Sequence, residues 1–125
     1  MKTVHKLIFI LAMTSCVSLA HAKSPCHTLA TTEFFNSSIS PTISTPESLK
    51  DAQEEMANGE TFCKRMVQAI KTKKTTSDIL RTEADKVLAE GKEAFEKDGD
   101  MDKLELAKYM QALLIGSAKI ADSPP

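Results

Sequence analysis

Apolar side chains recur at intervals of three and four residues along most of the sequence from residue 46 onward. This spacing places them on one face of an α-helix, whereas a half-buried strand alternates apolar and polar residues. No stretch of the sequence alternates convincingly over the length of a strand. The sequence therefore predicts an all-α fold, a small bundle of four to five helices with a helical domain over residues 46–125.

Short polar motifs predict where the first of these helices begins and ends. Thr45, Pro46 and Glu47 combine a capping hydroxyl, a proline whose missing N–H costs nothing at the first helical position, and an acid at the positive helix end. Asn58 and Gly59 favour a left-handed stop or a kink. We therefore expect a helix start at residue 46 and an interruption near residue 59.

Similar motifs delimit two further helices. Thr75 and Asp78 stand in the positions of a capping box, and residues 98–100, with the sequence Asp, Gly, Asp, break the helical pattern. Asp102 with Glu105 is predicted to cap the last helix. The residues expected to face the core are Leu49, Ala52, Met56, Phe62, Cys63, Met66, Val67, Ile70, Leu80, Ala84, Val87, Gly91, Ala94, Phe95, Leu106, Met110, Leu113, Leu114, Ser117 and Ile120.

Residues 1–22 have the features of a secretory signal peptide. The first six residues include the positive charges of Lys2 and Lys6, residues 7–19 are mostly apolar, and residues 20–22 supply the small residues that a signal peptidase requires. An apolar stretch of about 13 residues is too short to cross a ~30 Å hydrocarbon layer as a helix. We therefore expect export to the periplasm or beyond, with cleavage after Ala22 and no transmembrane segment in the mature chain. A lipoprotein that begins at Cys16 is the alternative.

Removal of this leader leaves two cysteines, Cys26 and Cys63. In an oxidising compartment they have one possible intramolecular pairing, and a bridge over this distance restricts the unfolded chain by about 4 kcal/mol. The sequence therefore predicts one disulfide. A metal site made of Cys26, His27 and Cys63 is the alternative, although structural zinc usually takes four ligands.

Residues 23–45 form a Ser/Thr-rich N-terminal arm punctuated by prolines. Ser24 and Pro25 can start a short helix with Cys26 and Phe34 on one side, and the polar run that follows residue 35 favours a loop. Asn36 begins a three-residue pattern that matches an N-glycosylation acceptor. Whether Asn36 is glycosylated depends on the source of the protein.

The charge balance argues against a dedicated nucleic-acid partner. The chain carries 16 basic and 17 acidic residues, with a formal net charge of −1, and it contains one tyrosine and no tryptophan. A local basic cluster is nevertheless present and is a possible contact surface for a partner. It consists of Lys64, Arg65, Lys71, Lys73 and Lys74.

The sequence motifs favour no enzymatic role. We find no nucleophile elbow, no phosphate-binding glycine loop and no HExxH motif, and we assign no catalytic, cofactor-binding or metal-binding residue. The acidic rhythm of residues 98–102 resembles the start of a calcium loop. Its sixth position is Lys103 rather than glycine and its twelfth is Tyr109 rather than glutamate, which favours an acidic turn between helices.

Residues 60–70, which include Phe62, Cys63 and Ile70, follow a cysteine-bearing segment and precede two amphipathic helices. In this order of features the chain resembles the immunity proteins that neutralise type VI secreted amidases. The resemblance implies a small, exported, disulfide-bonded helical protein that blocks a cell-wall amidase. Family members often have a second cysteine pair and a glycine soon after the Phe-Cys sequence. This chain has Lys64 and Arg65 after Phe62 and Cys63 instead of that glycine. No inhibitory residue can be assigned from the resemblance.

These observations predict an exported helical protein that binds another protein. The most specific version of this prediction is an immunity or inhibitor protein that acts on an envelope-targeting toxin or enzyme. The alternative is a periplasmic stress chaperone or an envelope-assembly accessory protein, and a small enzyme is a third class. A binding role requires only a complementary surface and no recognisable motif.

Overall fold

A computed structural model of the chain describes residues 24–37 and 45–123. The described residues form four helices and no strand: α1 (Pro25–Asn36), α2 (Pro46–Lys71), α3 (Ser77–Asp98) and α4 (Met101–Asp122). The predicted all-α bundle is therefore confirmed. The loop predicted after residue 35 is wrong at its first residue, because Asn36 is the last residue of α1. The predictions for residues 1–22, for Cys16 and for residues 38–44 of that loop lie outside the described residues.

The first two helices start where the sequence predicts. Ser24 Oγ accepts a hydrogen bond from the backbone N–H of His27 at 3.2 Å, and Thr45 Oγ1 accepts one from Ser48 at 3.0 Å. A proline follows each cap within the first turn, where no intrahelical N–H is needed. Local chemistry alone thus fixes both starts.

The predicted caps of α3 and α4 are wrong by one and two residues. Thr76, and not Thr75, accepts from the N–H of Ile79, and Thr75 still belongs to the turn that closes α2, where its N–H bonds the Ala69 carbonyl. Likewise Asp100, and not Asp102, accepts from Lys103 at 3.0 Å. The predicted break between these helices is confirmed, since Gly99 ends α3 with a left-handed φ of 68°.

The interruption predicted at Asn58 and Gly59 is wrong. Helix α2 continues without a break to Lys71, and Gly59 is buried within it. The phenol of Tyr109 on α4 occupies the space that a side chain at position 59 would take. This glycine therefore permits close helix packing and does not terminate a helix.

Helices α3 and α4 form an antiparallel hairpin, with α1 and α2 packed against α4. Gly91 lies against Ala107 in the half of the hairpin nearer its turn, and Ser77 and Asp122 are hydrogen-bonded where the helices meet at its open end. Arg81 adds an ion pair to Asp122 at 2.9 Å. These contacts fix the two helices side by side over their full length.

The core consists of two clusters, and α4 contributes to both. The first cluster contains Ala30, Phe34, Ala52, Tyr109 and Leu113, and the second contains Leu80, Ala84, Leu114 and Ala118. Helix α1, which belongs to the Ser/Thr-rich arm of the sequence, inserts two residues into the first cluster. It is therefore an integral part of the packed bundle.

Three residues predicted to face the core are substantially exposed. Leu49, Phe95 and Leu106 expose 44%, 38% and 47% of their surface, respectively. On α4 the buried face instead includes Ala107 and Tyr109, because this helix packs against α3 on one side and α1 and α2 on the other. A helix that packs against neighbours on two sides buries a wider set of side chains than the single apolar face predicted from its sequence.

None of the described helices is both long enough and apolar enough to cross a membrane.

Candidate functional site

A groove of about 280 Å³ lies between α1 and α2. We call it the α1–α2 groove. It is lined by His27, Thr31, Phe35, Gln53, Met56, Ala57 and Glu60. Its surface is mostly apolar with a few polar groups, which is the usual character of a protein site that recognises a ligand or a partner side chain.

The disulfide between Cys26 and Cys63 positions one end of this groove. The two sulfur atoms are bonded, the Cα atoms are 5.5 Å apart, and both residues are buried. The predicted bridge is confirmed. The alternative metal site is wrong, because the two sulfur atoms are bonded to each other and neither is a thiolate that could bind a metal ion. His27 directly follows Cys26, and Glu60 lies one turn before Cys63, so the bridge brings these two side chains together.

Glu60 is the electrostatic centre of the groove. Its Oε1 atom lies 2.9 Å from Nδ1 of His27, and its Oε2 atom lies 2.8 Å from Nζ of Lys64. The hydrogen bond from Lys64, followed by that with His27, holds the pKa of the Glu60 carboxyl below its usual value. Glu60 is therefore a charged, partly buried acceptor that links α1 to α2.

Two consecutive aromatic residues on α1 have opposite environments. Phe34 is 1% exposed and packs in the first core cluster, whereas Phe35 is 52% exposed on the rim of the groove. Their rings form an edge-to-face contact with centroids 5.6 Å apart. The exposed ring of Phe35 thus rests against the buried ring of Phe34 on one side and borders the groove on the other.

The residues of the predicted basic cluster have different environments. Lys64 lies within α2 and is paired with Glu60, whereas Lys71 is the last helical residue. Lys73 follows in the turn with a φ of 62°, and Lys74 donates its backbone N–H to the Ala69 carbonyl. The structure thus connects one member of the cluster, Lys64, directly to the α1–α2 groove.

The pair of His27 and Glu60, which are 33 residues apart, was not predicted from the sequence. Helical periodicity cannot relate residues on different helices. The available signal was their position next to the cysteines, because a bridge between Cys26 and Cys63 also brings their helical neighbours together. Within residues 24–37 and 45–123, no group of three or more His, Cys, Asp or Glu side chains is placed to hold a metal ion.

Comparison of the chain with models of protein families, with curated proteins and with solved structures finds no match.

Proposed function

We propose that the chain is an exported binding protein that recognises another protein through the α1–α2 groove. The observation that carries this proposal is the exposed ring of Phe35, held against a buried aromatic neighbour beside an apolar groove. Aromatic side chains that are fixed before binding lose little conformational freedom on association, and they are common among the residues that dominate interface energetics. The partner is expected to insert an apolar side chain beside Phe35.

The polar end of the groove gives this partner a second requirement. His27 is 45% exposed and can exchange hydrogen bonds with a partner, while Glu60 and Lys64 are paired with each other. A partner group near this end must therefore form a hydrogen bond with the imidazole of His27, which lies beside a carboxylate whose charge is balanced by Lys64. Such a requirement contributes to specificity more than to affinity.

The disulfide and the leader-like N-terminus support export as part of the proposal. A buried bridge between α1 and α2 is typical of proteins from oxidising compartments. The specific form that we propose is an immunity or inhibitor protein that binds an envelope-targeting toxin or enzyme. A stoichiometric inhibitor needs a complementary surface and no reactive group, and the exposed ring of Phe35 beside the groove offers such a surface.

Site-specific photocrosslinking tests the proposal. A photoreactive phenylalanine analogue is placed at position 35 in the full chain expressed in its own cell, and the same analogue at position 95 serves as control. Phe95 is also an exposed aromatic residue, but it lies on α3 outside the groove. We expect one defined crosslinked protein at position 35 that is absent at position 95.

The captured protein is then purified and titrated with the chain. Phe35→Ala should raise the Kd about 30-fold, which is the range expected for a central aromatic anchor, whereas Phe95→Ala should leave it unchanged. Inhibition of the partner's activity at a one-to-one ratio supports the inhibitor form. Equal crosslinking at both positions, or an unchanged Kd for Phe35→Ala, contradicts the proposal.

A chaperone-like role is the second candidate, and it is favoured by the number of exposed apolar side chains. Within residues 24–37 and 45–123, seven large apolar residues expose more than a third of their surface: Phe35, Leu49, Ile79, Phe95, Met101, Leu106 and Ile115. A chaperone would suppress aggregation of several unrelated denatured proteins, and removal of Phe35 alone would change this little. The inhibitor predicts no such suppression.

A further inference from the structure

A second groove, of about 300 Å³, lies between the two helices of the hairpin. We call it the α3–α4 groove. It is lined by Val87, Glu90, Gly91, Ala94, Lys103, Leu106, Ala107 and Met110. It shares no residue with the α1–α2 groove, so its occupant does not depend on the function proposed above.

The floor of this groove is formed where α3 and α4 approach most closely. Gly91 has no side chain, and an atom at its Cβ position would lie 3.3 Å from the carbonyl oxygen of Lys103 and would overlap Cβ of Ala107. The small residues therefore leave a shallow apolar floor between the two helices. Leu106 stands on one wall of this floor and is 47% exposed.

The two charged lining residues stand on opposite walls. Glu90 belongs to α3 and Lys103 to α4, and neither side chain takes part in an ion pair among the described residues. Two copies of the chain can face each other through this groove, related by a two-fold axis that lies in the plane of their contact and passes between Glu90 and Lys103. Glu90 of each copy then lies opposite Lys103 of the other, which gives two such pairs. The apolar floor and Leu106 then lie near the axis.

A two-fold interface requires a surface that is complementary to itself. The α3–α4 groove meets this requirement in charge, because one of its walls carries an acid and the other a base, and each copy also offers the half-exposed side chain of Leu106 beside an apolar floor. A partner of a single charge sign would match only one wall. We propose that the occupant of this groove is a second copy of the same chain and that the protein forms an isologous dimer through α3 and α4.

Sedimentation equilibrium of the full chain tests the dimer at protein concentrations from about 1 µM to about 1 mM. We expect reversible dimerisation with a Kd of about 1–100 µM, as is typical of a small interface. Leu106→Glu should raise the Kd at least 10-fold, since it removes the apolar contact and places a charge near the axis. Ile115→Glu is the matched control, because Ile115 is also on α4, is 41% exposed and lies outside the groove.

A charge exchange provides the second measurement. Glu90→Lys alone sets like charges opposite each other and should weaken the dimer about 5- to 10-fold, and Lys103→Glu alone should do the same. The double variant restores the opposite charges and should return the Kd to within about twofold of the original. All of these positions line a surface groove, and circular dichroism verifies that each variant stays helical.

A chain that stays monomeric up to about 1 mM overturns the proposal, as does a dimer that Leu106→Glu and Ile115→Glu weaken equally. Failure of the double charge exchange to restore association overturns the two-fold arrangement. If the chain is monomeric and Leu106→Glu instead weakens binding of a different protein, the groove accepts a partner helix and the dimer is wrong.

Discussion

The contact between Gly59 and Tyr109 predicts a specific non-additive effect on stability. A methyl group at position 59 would approach Oη of Tyr109 more closely than side-chain atoms do in folded proteins, and it would lie 3.2 Å from Cβ of Ala30. Gly59→Ala should therefore destabilise the protein, although alanine is the better helix former. The phenol oxygen makes the closer of these two contacts, whereas the small Ala30 methyl needs to shift by only a few tenths of an ångström, so removal of the phenol oxygen should abolish the destabilisation or reverse its sign.

The expected magnitudes follow from two opposing effects. Alanine gains about 1 kcal/mol over glycine within a helix, and overpacking of a close contact costs about 1–3 kcal/mol. Gly59→Ala should thus lower the free energy of unfolding by about 1 kcal/mol. Tyr109→Phe should cost about 1 kcal/mol by itself, since it removes a long hydrogen bond of 3.4 Å to the Ala30 carbonyl.

In the Tyr109→Phe background the nearest atom of the ring is the carbon at 3.4 Å, an ordinary contact distance. Gly59→Ala should then be neutral or should stabilise the protein by as much as about 1 kcal/mol. The coupling free energy between the two changes is about 1–2 kcal/mol and favours the double variant. Urea denaturation of the four proteins, followed by circular dichroism, measures it.

Gly99→Ala is the control for this cycle. Gly99 has a φ of 68° and no atom within 4 Å of its Cβ position, so alanine there costs about 1–2 kcal/mol of backbone strain, whether residue 109 is tyrosine or phenylalanine. A coupling below about 0.5 kcal/mol between positions 59 and 109 would refute the proposed packing role of Gly59. Equal coupling of residue 109 to Gly99 would show that the effect is not specific.

Three further predictions concern the bridge and two titrating groups. Replacement of both Cys26 and Cys63 by alanine should lower the free energy of unfolding by about 4 kcal/mol in urea denaturation, given their separation of 37 residues, and a loss below about 1 kcal/mol would contradict the chain-entropy reasoning. Burial raises the pKa of Tyr109 to about 12, so ultraviolet titration of this single tyrosine should show a native-state midpoint well above 10. The stability that the protonated, buried phenol contributes is complete below pH 10 and is lost as the pH rises toward 12. A midpoint near 10 would disprove burial of the phenol. The pKa of Glu60 is lowered, chiefly by the hydrogen bond from Lys64. The stability that ionised Glu60 contributes should therefore be present above pH 4.5 and be lost as the pH falls through the lowered pKa. Glu60→Gln should make the urea midpoint less dependent on pH in this acidic range.

Helix starts could be predicted from the sequence where a cap and a proline stand together. Ser24 and Thr45 satisfy backbone N–H groups within three residues, so neither depends on the rest of the fold. Where several candidate caps were adjacent, as at Thr75 and Thr76, the sequence could not distinguish them. The choice depends on how the preceding turn uses its own hydrogen bonds.

The direction of each helix face was less predictable. Leu106 matches the apolar spacing of α4, yet it is exposed, while Ala107 beside it is buried against Gly91. An apolar stripe shows that a helix has a face to bury, but it does not show how many neighbours share that face. Phe35 beside Phe34 shows the same limit on α1.

The all-α class, the starts of α1 and α2 and the single disulfide could all be predicted from the amino-acid sequence. These depend on short-range periodicity, on capping within one turn and on the pairing of the two cysteines left beyond the leader-like segment. The packing of Gly59 under Tyr109, the contact between His27 and Glu60 and the choice of apolar side chains that stay exposed became visible in the folded chain alone. Those features join residues from different helices, and their contact depends on the angle and register at which whole helices pack.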